Sequence, residues 1–68
     1  MIEVLLLNQG KVMDSAEAED PAGAVLAART LWDELRDHLS GLSHAHMEAW
    51  FLVDGKLIRK IDRRDELA

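Results

Sequence analysis

Ala49-Trp50-Phe51-Leu52-Val53-Asp54-Gly55-Lys56-Leu57-Ile58-Arg59-Lys60-Ile61 sets two runs of β-branched, aromatic and aliphatic residues on either side of Asp-Gly. Asp-Gly suits a two-residue type I′ turn, in which both central residues take positive φ. The stretch therefore predicts a β-hairpin, with strands over about His46 to Val53 and Lys56 to Ile61. Regular alternation from this turn opposes Leu52 to Leu57, Phe51 to Ile58, Trp50 to Arg59 and Glu48 to Ile61. One face then carries Met47, Ala49, Phe51, Val53 and Ile58. The other carries Trp50, Leu52, Leu57 and Ile61, with His46, Glu48 and Arg59. On that second face Glu48 and Arg59 fall within diagonal salt-bridge reach. A ribbon apolar on both sides needs two covers, and the chain has only one long helix to offer.

That helix is announced by Asp20-Pro21. Asp20 suits the N-cap, where a carboxylate accepts free backbone N–H groups, and Pro21 suits the first helical position because it has no donor to lose. The pattern predicts a helix from Pro21 to about Leu39, with Ser40-Gly41 as its C-cap. At 100° per residue, Ala24, Ala28, Leu31, Trp32, Leu35, Leu39 and Leu42 form one stripe with Val25 at its margin. Arg29, Asp33, Glu34, Arg36 and Asp37 lie opposite, and Leu26 is the one apolar residue on that wet side. The stripe is expected to cover the Phe51 face of the hairpin, whose positions 47, 49, 51 and 53 are all apolar. The Trp50 face then looks outward.

Ile2-Glu3-Val4-Leu5-Leu6-Leu7 reads as a further strand, apolar enough on both faces to be central. Asn8-Gln9-Gly10 is a turn signal. Lys11-Val12-Met13 can return as a second strand reaching about Ala16, but Asp14, Ser15 and the acidic run after them disfavour it, so an edge position is expected. Asp62 to Ala68 reads as a charged tail, frayed or briefly helical. The fold class expected is α+β: a small two-layer ββαββ domain, or βαββ if the second strand fails. One helix packs on an antiparallel-rich sheet with the Asp-Gly hairpin at its C-terminal end. Residues 1–68 are read as one domain.

Composition narrows the function classes. A chain of 68 residues buries only about 60% of the surface its unfolded form exposes. Small domains usually add disulfides, a metal or oligomerisation. Cysteine is absent, which removes disulfides and thiolate metal sites and fits a reducing cytoplasm. The formal net charge of −5 argues against general nucleic-acid binding, which needs a positive field to displace counterions, and against docking on anionic membranes. A basic strip, Lys56, Lys60, Arg63 and Arg64, keeps weak nucleic-acid binding as an alternative. No stretch approaches the roughly 20 apolar residues of a membrane span. Ile2 to Leu7 is too short for a signal segment and follows no basic region, so a cytoplasmic, unprocessed protein is expected.

Chemistry finds little purchase. His44 and His46, with His38 upstream, are the only group resembling metal ligands, and Glu48 shares a strand face with His46. Such a pair still needs further ligands, so no metal and no cofactor is assigned. Ser43 beside His44 lacks any sign of an oxyanion hole. The glycines belong to turns, a cap and a first helical turn, and none to a phosphate-binding loop. A non-enzymatic interaction module is therefore expected, acting as a homodimer. Trp50, Leu52, Leu57 and Ile61 would form its apolar interface, with Glu48 and Arg59 at the polar rim. The alternative is a small regulator or inhibitor, of the kind a phage encodes, that binds a larger host protein through the same patch.

Overall fold

The computed structural model describes residues 1–38 and 46–68. Its elements run β1 (Ile2–Asn8), β2 (Lys11–Ala18), α1 (Pro21–His38), β3 (Met47–Val53), β4 (Lys56–Ile61) and a 3-10 turn over Arg64–Leu67. The four strands form one antiparallel sheet in the order β2-β1-β3-β4. This is the expected ββαββ α+β fold, and the second strand is present in full. It occupies an edge, as its polar sequence requires, and runs two residues past Ala16.

Both hairpins turn on the same chemistry. Asp54 and Gly55 sit at φ 51° and 80°, and Gln9 and Gly10 at 55° and 79°. Each pair has the two positive φ values of a type I′ turn, whose twist matches that of the flanking strands. β2 and β3 both run antiparallel to β1 and so parallel to each other, and parallel strands need a crossover. α1 supplies it. Its 18 residues span about 27 Å at 1.5 Å per residue, somewhat longer than a seven-residue strand. Asp20 caps it as expected: its Oδ1 accepts the Gly23 N–H at 2.7 Å, and its carbonyl accepts the Ala24 N–H at 2.9 Å. Ser40-Gly41, Leu39 and Leu42 lie outside the described residues.

The core lies between α1 and one face of the sheet. Val4 and Leu6 of β1, Ala49 and Phe51 of β3, and Ala24, Ala28 and Trp32 of α1 are all buried there. Val25, Leu31 and Leu35 pack at the margin, and Leu26 is exposed. The helix thus covers the Phe51 face, and its small residues at 24 and 28 let its backbone sit close to the strands. It lies mainly across β2 and β1, which leaves the β4 end of that face short of a lid.

The C-terminus supplies part of the lid. The segment 62–68 folds back, and the 3-10 turn delivers Leu67 into the core with no exposed surface. Arg64 fixes the turn to the helix. Its Nε and Nη2 donate to Oδ1 and Oδ2 of Asp33 at 3.0 and 3.2 Å. Of the two expectations for this tail, the helical one describes it, and a frayed end does not.

Candidate interaction face

The sheet face turned away from α1 is built from alternate residues of all four strands. Ladder partners share a face, so the pairings Leu5 with Trp50 and Leu52 with Leu57 align four apolar side chains at its centre. Leu7 opposite Val12 extends the patch toward β2. Glu3, Glu17, Glu48 and Lys60 surround it on the same face. Leu5, Trp50 and Leu52 are half-buried, Leu57 is 45% exposed and Val12 50%. Leu7 is buried, yet stands apart from the helix-side cluster. Among the described residues no helix or strand lies over this face.

Two of the six residues assigned to this face from sequence belong elsewhere, for one reason. β4 carries a β-bulge: Leu57 opposes Leu52 as expected, but Arg59 rather than Ile58 opposes Phe51. The extra residue reverses every position after it, because strand side chains alternate with a period of two. Ile61 therefore opposes Ala49 on the helix side and is fully buried in the core. Arg59 moves to the helix side with Phe51, and Lys60 takes its place beside Trp50. Glu48 accordingly pairs with Lys60, at 3.8 Å, and not with Arg59. The Lys60 Nζ also lies 5.1 Å from the centre of the Trp50 ring, within cation–π range. Both contacts are partly solvated and contribute on the order of 1 kcal/mol or less. Their effect is to lay a charged rim along one side of an aromatic centre. Trp50, Leu52, Leu57 and Glu48 remain where the sequence placed them. Leu5 and Leu7 join them through the pairing of β1 with β3, which no local pattern specifies.

The basic strip is not a free array. Arg64 is held by Asp33 and Lys60 by Glu48. The hydrogen bonds from Arg64 keep the Asp33 carboxyl below its ordinary range, aided by the charges of Arg64, Arg36 and Arg29 and opposed by partial burial. His38 ends α1, and His46 precedes β3 beside a polar recess shared with Met47, Glu48 and Asp62. Among the described residues no three His, Asp or Glu side chains are grouped to hold a metal ion. His44 and Ser43 fall outside them. No helix among the described residues is long and apolar enough to cross a membrane. No protein-family model, curated protein or solved structure matches this chain.

Proposed function

We propose that this chain is a non-enzymatic interaction module that self-associates as a homodimer through the outward face of its sheet. The observation that carries the reading is an apolar patch crossing all four strands on the face opposite the helix. Val12, Leu7, Leu5, Trp50, Leu52 and Leu57 form it, with carboxylates and Lys60 around them. An antiparallel sheet with one wet face normally alternates to polar residues on that side. Here the centre of that side is aliphatic and aromatic. Tryptophan at the middle of such a patch, ringed by polar groups, is the arrangement of a binding hot spot.

A twofold axis through the patch would bring each sheet against its copy at about 10 Å, as in a β-sandwich, with Leu5, Trp50 and Leu52 buried twice over. An interface of ordinary size removes about 800 Å² per partner, under a fifth of the 4526 Å² of surface here. The added burial answers the small size of the core.

The contact surface itself is open to test by amide chemical shifts recorded over a dilution series. Concentration-dependent shifts at Leu5, Trp50, Leu52 and Leu57, with the exposed helix face around Leu26 silent, are expected. Shifts confined to α1, or a chain that tumbles as a monomer with no shifts up to millimolar protein, would overturn the assignment.

A further inference from the structure

The sheet ends on β4, and an edge strand presents a row of unpaired backbone N–H and C=O groups. On the helix side of that edge the two layers part. The 3-10 turn closes the gap near Ile61 and Asp33. At the opposite end, beside Pro21, an apolar groove of about 100 Å³ stays open. Ile2 and Phe51 line it from the sheet, Ala24 and Val25 from the helix, and Ile58 and Arg59 from the edge strand. The β4 bulge is what turns both Ile58 and Arg59 to this side, and Ile58 is left 58% exposed. The groove is far below the roughly 300 Å³ at which small-molecule pockets begin, but it has room for one aliphatic side chain.

Charge selects the occupant. Lys56 and Arg59 lie on the edge strand, and neither pairs with a carboxylate among the described residues. A second copy docking β4 against β4 would set Lys56, Arg59 and Lys60 against their own kind, and like charges opposed across a ladder are destabilising. An acidic strand meets the same groups favourably. The net charge of −5 does not prevent this, because charges farther off than about 8 Å are largely screened at physiological salt.

We propose that β4 accepts an extended acidic segment of a partner protein as a fifth strand. One of its aliphatic side chains enters the groove, and carboxylates two residues before and after it, on the same strand face, meet Lys56 and Arg59. Main-chain hydrogen bonds along the edge then supply affinity, while the groove and the two cations supply selectivity. This edge lies beside the outward sheet face, so a dimer formed there leaves it accessible.

The experiment is an amide chemical-shift titration of the full chain with a short peptide, Glu-Thr-Val-Thr-Glu, whose two Glu and central Val share one strand face. Its control is the same peptide with Lys in place of Glu. Saturable shifts are expected along Lys56–Ile61 and at Ala24 and Val25 with the acidic peptide alone. Arg59→Glu, which removes one exposed ion pair, should bind about fivefold more weakly. Ile58→Asp, which sets a carboxylate in the groove facing an acidic strand, should bind at least as weakly. Both lie on the exposed edge and should keep the parent's melting curve. If either variant loses its fold, Lys56→Glu makes the same comparison. The proposal is overturned by no shift at millimolar peptide, by equal binding of the lysine peptide, or by shifts centred on Trp50 and Leu52. Edge shifts that arise from raising the protein concentration alone would assign the edge to a second copy and overturn it as well.

Discussion

Leu67 and Asp33 show how much of this small fold depends on its last residues. Leu67 is fully buried although it follows Arg-Arg-Asp-Glu. Leu67→Ala should cost about 2–4 kcal/mol, the usual loss for a buried leucine, whereas Leu26→Ala on the exposed helix face should stay within about 0.5 kcal/mol. Urea unfolding of the two variants makes the comparison, and equal small effects would mean that the C-terminal turn does not seal the core. Asp33 gives a pH signature. Arg64 depresses its folded-state pKa, so its stabilisation is fully present above the unfolded value of about 3.9 and is lost as pH falls through the folded one. Asp33→Asn should therefore be less stable than the parent at pH 7, and the gap should narrow below about pH 4. A gap of constant size down to pH 2 would show that the pair with Arg64 contributes nothing. Neither residue's role was legible in the sequence. Both depend on a contact between α1 and the chain terminus, and the local charge pattern around 62–68 points to solvent.

At the scale of elements, legibility followed locality. Asp20-Pro21 and Asp54-Gly55 act through their own dihedral preferences and nearby backbone groups, so the helix start and the second hairpin could be read directly. The helix face was legible too, because Ala24, Ala28 and Trp32 repeat at helical spacing. Asp20→Ala should cost about 1 kcal/mol through loss of the cap to Gly23, read as a lowered urea midpoint. An unchanged midpoint would show that the cap is dispensable. The β4 bulge was not legible, and it decided which residues reach the outward face. Leu57 and Ile58 are adjacent apolar residues, so regular alternation must place one on each face. The only hint was Ile61, which strict alternation sets opposite Glu48, an ill-matched pair. With the bulge, Ile61 meets Ala49 in the core and Lys60 stands over Trp50. β2 shows the same effect of tertiary context. Its acidic sequence resists strand formation, yet it pairs along all of β1, with a bulge of its own at Met13.

The whole molecule is a two-layer fold with one finished face. The Cα radius of gyration, 11.1 Å, matches the roughly 11 Å expected of a compact chain this long, so the helix layer is already closed on the sheet. Among the described residues, what remains open is the opposite side, where apolar residues from four strands meet. The most direct test of the central claim is sedimentation equilibrium on the parent and on Leu57→Asp. Leu57 lies on the patch and is nearly half exposed, so its replacement charges the face while sparing the core. At tens of micromolar the parent should sediment near twice its 7.6 kDa mass, and Leu57→Asp should sediment as the single chain with an unchanged far-UV spectrum. A parent that sediments at the mass of one chain throughout that range contradicts the account.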